Sequence, residues 1–355
     1  MNLSKLFRAS WTHGLLAAML LLLALTLFFE VSGIGARAIL ITYFLSGWNS
    51  KTGFFETLVK AAPICLCALA VALPARFGLI NIGGEGQLLA GAMGASAVAL
   101  QPLLLPASLL LPLMVLAGIC AGALWGFIPG LLRATTRTNE VVSSLLANYI
   151  AALALLHLVN GPWRDPASFG WAQSPAFPEA ARLPLLSGTR LHLLVALAPI
   201  AALSGALVFR YGTIGRTARV ISVSEVTARV IGLRPSWFYV GSFLLAGALA
   251  GLAGFGEVAA IQGRLREGIS LGYGFAGFLV AWICRNRFAW LPFAAFAIAG
   301  LLTAGDFLQI SAGLPFATVN LLQGSILLAF VIYEANRTAQ KQRLASLGSE
   351  EDLHG

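Results

Sequence analysis

The segment Asn81-Ile-Gly-Gly-Glu-Gly-Gln87 places three polar side chains able to hold a small molecule, Asn81, Glu85 and Gln87, among glycines and between two apolar runs, shortly after Pro74. A carboxylate in apolar surroundings is costly unless paired or hydrated, so the first reading of Glu85 is a pathway through a membrane. Spans interrupted by glycine or proline are where transporters build binding sites. The alternative is a re-entrant cytoplasmic turn in which Glu85 caps a helix or pairs with Arg76. A second polar group follows Arg133: Thr138 or Asn139 can cap a helix that Glu140 opens with a favourable first-turn charge. Two turns deeper stand Asn148 and Tyr149, which either face substrate or bridge helices. A third segment, Gly268-Ile-Ser-Leu-Gly-Tyr-Gly-Phe275, enters an apolar run with Tyr273 and Phe275, which either stack on a flat ring or belong to an interfacial aromatic belt. Asp306, Gln309 and Gln323 are isolated polar groups, placed most simply at helix ends or in hydrogen bonds within a bundle.

Catalytic chemistry finds little support. His13, His157, His192 and His354 are isolated, with no metal pair, nucleophile elbow or paired carboxylates. Cys65, Cys67, Cys120 and Cys284 all lie in apolar stretches and read as small core hydrophobes; Cys65 and Cys67, two apart on a helix, point to opposite sides. None of Lys5, Lys51, Lys60 and Lys341 follows a glycine, as a phosphate-cradling loop requires, so the chain has no ATPase motif of its own. No catalytic residue, resident cofactor or metal site is expected.

The elements that must position these groups are transmembrane. Of 355 residues 58% are apolar and 10% charged, against roughly a quarter charged in soluble domains. The net charge of +9 comes from residues scattered singly between apolar runs, not from a nucleic-acid-binding stripe. A span takes about 20 apolar residues, and ten candidates meet or approach that: residues 14–32, 57–74, 84–100, 106–132, 140–159, 191–209, 237–256, 271–283, 288–306 and 318–334. The first is read as a retained helix, not a cleaved signal, because its apolar run is long and no small-residue cleavage site follows directly. The third and eighth are short and glycine-rich, hence broken or re-entrant. The expected fold is all-α, a polytopic bundle of about 8–10 spans. Residues 1–335 form the membrane domain and 336–355 a short polar tail. Gly118, Gly122, Gly126 and Gly130, and later Gly247 and Gly251, recur every four residues and line helix faces for close backbone approach.

With the amino terminus inside, the cytoplasmic segments hold Lys5, Arg8, Arg76, Arg133, Arg137, Arg210, Arg216, Arg219, Arg229, Arg234, Arg285, Arg287, Arg337, Lys341 and Arg343, which are 15 of the 23 basic residues. That asymmetry puts both termini in the cytoplasm, the loop 160–190 outside and the loop 210–236 inside. In the inner loop Ser222 and Glu225 form a capping box, and Gly232 then Pro235 stop a short helix spanning Val223 to Ile231. Val223, Val226 and Val230 share one face of it, which rests on the membrane or docks into a partner.

Over almost its whole length the chain resembles the permease family of ribose-type and nucleoside-type ABC importers, specifically the guanosine/nucleoside branch. The residues that carry this are Asn81-Ile-Gly-Gly-Glu-Gly-Gln87, Thr138-Asn-Glu-Val-Val-Ser-Ser-Leu-Leu-Ala-Asn-Tyr-Ile150, Gly161-Pro-Trp-Arg-Asp-Pro166 and Leu271-Gly-Tyr-Gly-Phe-Ala-Gly277. The resemblance implies a ribose-type permease fold in a bacterial inner membrane. It also implies a second permease, ATPase subunits that use the ATP, and an extracytoplasmic substrate-binding protein as partners. Asn81, Glu85, Gln87, Asn148, Tyr273 and Phe275 would line the cargo pathway. The inner loop resembles the coupling helix that enters the ATPase cleft, with Ser222, Glu225, Val226, Arg229 and Gly232 as its contact group. It departs from the family in having Ser222, Ser224 and Glu225 where a Gly and an Asn-Pro pair are usual, and Ala276 where an aspartate is common. The implied cargo is a nucleoside; ribose or another simple sugar is the alternative, and an ion-coupled secondary transporter the more distant one.

Overall fold

The computed structural model describes residue 48, residues 50–101 and 106–313, and positions 315, 317, 321, 324, 325 and 328. The first expected span and the tail 336–355 lie outside the described residues, and the tenth span with Gln323 falls largely outside them. Ten α-helices run through the described chain: α1 Lys51–Ala75, α2 Gly84–Leu100, α3 Ala107–Thr136, α4 Glu140–Asn160, α5 Leu193–Tyr211, α6 Thr213–Val223, α7 Glu225–Val230, α8 Pro235–Gly256, α9 Tyr273–Ile283 and α10 Leu291–Ala312. A π-helical turn, Glu257–Gln262, prolongs α8. Gln173 and Arg266 form an isolated antiparallel bridge.

Six of these stretches are long and apolar enough to cross a membrane: Lys51–Ala75, Ala107–Thr136, Glu140–Asn160, Leu193–Tyr211, Pro235–Gln262 and Phe288–Ser311. The protein is therefore a polytopic helical bundle, as its apolar runs require. The third and eighth expected spans form as helices α2 and α9, but both are short. At about 1.5 Å per residue they reach roughly 25 and 16 Å, less than the roughly 30 Å of a hydrocarbon core.

The described residues up to Phe54 and from Gly300 onward form one compact unit, and those of Phe55–Ala299 another. In the first, Gly300 leaves room for the ring of Trp48, which a Cβ there would strike. The second is built around α1, whose apolar window is 83% buried within the protein, whereas those of α3 and α5 are 17% buried and face outward. Its tightest seam joins α2, α3 and α8. A Cβ on Gly122 would lie 2.6 Å from Gly251 Cα, and one on Gly126 would lie 3.1 Å from Gly247 Cα. Gly91 of α2 meets Gly251 in the same way. The four-residue glycine rows are thus backbone-to-backbone seams, which any side chain would force apart.

Cys65, Cys67 and Cys284 are buried as expected of small hydrophobes, but Cys120 is exposed, because it falls on the outward face of α3 opposite the glycine row.

Two sequence expectations in the inner loop are corrected. The helix expected over Val223–Ile231 is split. Residues 213–223 are already helical, Ser224 breaks the run in an extended conformation (φ −154°, ψ 113°), and α7 begins at Glu225. The cap is accordingly Ser224, not Ser222. Ser224 Oγ accepts from Thr227 N at 3.1 Å, while Ser222 Oγ donates to Arg219 O within the last turn of α6. Ser222 and Glu225 form no capping box, because Ser222 already has helical backbone on both sides. Gly232 does end the helix, in the left-handed region at φ +84°, and Pro235 sits in the first turn of α8.

Candidate functional site

Glu140, Ser144 and Asn148 are four residues apart, so they project in a row from one face of α4. The chain between α1 and α2 turns at residues 76–78 and then runs without regular secondary structure over 79–82, which leaves backbone groups without helical partners, and this row meets them one after another. Ile80 N donates to Glu140 Oε1 at 3.3 Å, and Ile82 N donates to Ser144 Oγ at 3.2 Å. Asn148 then uses both ends of its amide: Nδ2 donates to Ile82 O at 2.9 Å, and Oδ1 accepts from Gly86 N at 2.8 Å. Three side chains of one helix thus do what a neighbouring strand edge would do, and the last also caps the first turn of α2. Asn139 caps α4 itself, accepting from Val141 N at 2.9 Å, and Glu140 pairs with Arg133 at 3.5 Å.

Asn81 and Gln87 serve the same turn from within. Asn81 Nδ2 donates to Ala70 O at 3.1 Å and to Gln87 Oε1 at 3.2 Å, Gln87 Nε2 donates back to Asn81 Oδ1 at 3.3 Å, and Gly83 N donates to Asn81 Oδ1 at 2.9 Å. Both side chains are fully buried. A Cβ on Gly83 would come within 3.0 Å of Asn81 Oδ1 and 3.2 Å of Gln87 Nε2, so a side chain there would press on this pair.

Glu85 reaches across to a different helix. Its Oε2 accepts from Gly274 N at 2.8 Å, with the Ser270 side chain beside the same carboxylate, and Ser270 Oγ accepts from Tyr273 N at 3.2 Å. The first turn of α9 is therefore capped by a residue from the first turn of α2. The backbones touch at the crossing: a Cβ on Gly84 would lie 3.6 Å from Gly274 Cα, and one on Gly274 would lie 2.5 Å from Glu85 Cα. Of the two structural roles open to Glu85, it takes the cap. Arg76 instead lies over the rings of Phe209 and Phe288, at 5.6 and 5.7 Å from their centroids. Burial first, and the Arg219 charge second, lower the pKa of Arg76 from its ordinary value.

A cavity of about 360 Å³ opens beside this junction. Glu85 and Leu89 of α2, Asn148, Tyr149 and Leu153 of α4, and Glu267, Ser270 and Phe275 around the start of α9 are among its walls. Three of the six sequence-expected pathway residues, Glu85, Asn148 and Phe275, therefore border one space. Asn81, Gln87 and Tyr273 do not border it; they are buried in the frame that shapes it. Ser144, Glu267 and Ser270 were not singled out from the sequence. The four-residue step from Glu140 to Asn148 is the signal that identifies Ser144, whereas Glu267 and Ser270 join the site only through tertiary folding. Among the described residues no group of three or more His, Cys, Asp or Glu side chains stands close enough to hold a metal ion.

The Glu267 rim of the cavity is tied to the long loop before α5. Glu267 N donates to Ala172 O at 3.1 Å, Ser174 N to Leu265 O at 2.7 Å, Phe177 N to Gly263 O at 2.8 Å and Leu183 N to Ala259 O at 2.9 Å. At the far end of that loop Arg190 pairs with Glu56 at 3.2 Å, and His192 is buried with Nδ1 lacking a hydrogen-bond partner among the described residues. Burial, and then the charge of Arg190, lower the pKa of His192 to about 4.

The loop 210–236 ends differently. Ala228 of α7 packs against Phe77, Leu79, Ala218, Ile221, Tyr239 and Phe243, while Val223, Val226 and Val230 are 82%, 73% and 81% exposed. Glu225 and Arg229 form an i,i+4 ion pair along the side of α7. The anchored α7 thus presents Val226 and Val230 outward, while Val223, expected on the same helix face, is exposed at the end of α6.

A family described as "Branched-chain amino acid transport system / permease component" matches residues 53–331. The chain is 36% identical over 304 residues to a glucose ABC transporter permease of Haloferax volcanii, covering 82% of this chain and 79% of the relative. It is 32% identical over 292 residues to a guanosine ABC transporter permease of Bacillus subtilis, covering 79% and 82%. It is 29% identical over 297 residues to a nucleoside ABC transporter permease of Lactococcus lactis, covering 80% of each.

Proposed function

The chain belongs to the branched-chain amino acid transport system / permease component family, and from that premise we propose that its cargo is a nucleoside. It is the multi-pass membrane permease of an ABC importer of the nucleoside and sugar type. The observation that supports the nucleoside reading is the cavity beside Glu85, which offers hydrogen-bonding groups next to the exposed aromatic faces of Tyr149 and Phe275. A nucleoside needs both, hydrogen bonds for its sugar and a flat contact for its base. The glucose permease among the relatives supports a second reading, a simple sugar.

In this account Asn148 holds α2 in place, Glu85 joins α2 to α9 at the cavity wall, and Phe275 stacks on the base. Asn81, Gln87 and Tyr273 keep the frame rigid. ATP is consumed by a separate ATPase subunit, which receives the outward valine face of α7. Arg229 and Glu225 flank that face, and Gly232 with Ser222 sets its angle. A second permease and an extracytoplasmic binding protein complete the machine. The basic-residue asymmetry supports an inside location for both termini and for Arg210–Trp237, and an outside location for the loop 160–190. The membrane is the bacterial inner membrane.

Radiolabelled guanosine, uridine and glucose uptake, compared in proteoliposomes carrying the complete set of subunits, tests this. Uptake of the nucleosides is expected; uptake of glucose alone would replace the nucleoside reading with the sugar reading.

A further inference from the structure

Glu85 combines two properties that the cap on α9 does not require together. It is only partly buried, and it forms part of the wall of the 360 Å³ cavity. Capping consumes one acceptor site of Oε2, for Gly274 N, with the Ser270 hydroxyl beside it. A carboxylate offers about four acceptor sites, so roughly two remain for whatever enters the cavity. Glu267 adds a second carboxylate at the exposed rim, and none of the described residues that border the cavity is basic. An anion entering would meet like charge in a site of low polarity, with no cation to compensate its lost hydration. A hydroxyl group donates a proton at no such cost, and hydrogen bonds to a charged acceptor are about twice as strong as those between neutral groups. The volume lies in the range of roughly 300–1,000 Å³ that encloses small ligands.

We propose that Glu85 is the hydroxyl-recognition residue of this cavity, accepting from vicinal hydroxyls of an uncharged, polyhydroxylated cargo. The inference rests on the cargo reading above and deepens it by assigning the sugar end of the cargo to one side chain. Asn148, although it borders the cavity, has both ends of its amide engaged by backbone, which leaves Glu85 as the carboxylate of α2 and α4 with acceptor capacity to spare; the hydroxyl of Tyr149, which also borders the space, is a neutral, weaker acceptor.

The test compares uridine with 2′,3′-dideoxyuridine in proteoliposomes holding the complete transporter, each presented on its loaded binding protein. Glu85→Gln should slow uridine uptake about tenfold, the loss of hydrogen bonds to a charged acceptor, and slow dideoxyuridine uptake less than twofold, because that molecule has no vicinal hydroxyls to lose. Ser270→Ala, which alters the α9 cap without removing the carboxylate, should slow both to the same degree. An equal fall for both substrates in Glu85→Gln would show that Glu85 is only a cap, and would overturn the proposal. If Glu85→Gln fails to insert, Glu85→Asp, which withdraws the charge by one methylene, is judged on the same ratio. If the parent carries glucose but not uridine, the nucleoside reading fails by itself, and glucose against 2,3-dideoxyglucose decides Glu85 by the same criterion. Uptake of none of these by the parent overturns both.

Discussion

Asn148 accepts a hydrogen bond from Gly86 N at 2.8 Å and donates one to Ile82 O at 2.9 Å, so one amide satisfies a donor in the first turn of α2 and an acceptor in the segment before it. The bond to Gly86 is buried and that to Ile82 partly buried, and leaving a buried backbone group unpaired costs about 1–3 kcal/mol. Asn148→Ala should therefore lower thermal stability in detergent by that order and slow uptake about fivefold, through displacement of α2. Asn148→Asp keeps the acceptor and loses the donor, and should fall between parent and alanine variant. Identical melting of parent and Asn148→Ala would remove the amide from the frame.

The seam between α3 and α8 predicts an abrupt size limit. Gly122→Val would drive a side chain into the backbone of Gly247 and Gly251, and overpacking of this kind costs typically 1–3 kcal/mol or more. A Cβ on Gly241 meets nothing within 4 Å, and Gly241→Ala should leave membrane abundance unchanged. Quantitative immunoblotting of membranes distinguishes the two; normal abundance of Gly122→Val would contradict the seam.

The fold was legible wherever composition alone decides it. The spans from 57–74 to 288–306 all reappear as helices, because long apolar runs have few alternatives in lipid. The split at Ser224 was not legible: Ser222 and Ser224 are equally good caps, and the choice depends on α6 continuing from Thr213, which packs Ala218 and Ile221 into the same cluster as Ala228. At the site, the polar interruptions marked the region but not the division of labour within it. Asn81 and Glu85 are four residues apart, yet one is locked inside the turn before α2 and the other faces the cavity. That difference is set by Gly274, nearly 200 residues away in sequence.

Val226 predicts the behaviour of the inner loop. Val226→Asp places a charge on the outward face of α7, and burying that charge in an apolar cleft carries a large desolvation penalty. The variant should insert normally, and ATP turnover stimulated by loaded binding protein should drop at least tenfold. Unchanged stimulation would assign the valine face to something other than the ATPase.

His192 makes the stability of the loop before α5 pH-sensitive in one direction. With its folded-state pKa lowered to about 4 from an ordinary 6.5, the folded protein stays unprotonated there while the unfolded chain takes up a proton. Stability is thus complete above pH 6.5 and declines as pH falls toward 4, by at most about 1.4 kcal/mol per unit. His192→Gln should flatten the melting temperature between pH 7 and 5; an unchanged slope would place the sensitivity elsewhere.

The cavity as the cargo path is tested most directly by filling it. Ala152 borders the space, so Ala152→Trp adds an indole to it without replacing Glu85, Asn148 or any residue of the α7 face. Labelled uridine uptake by proteoliposomes with the full set of subunits is the measurement, with ATPase association checked in parallel. The account predicts loss of nearly all uptake with association retained; uptake at the parental rate would show that cargo does not pass this cavity.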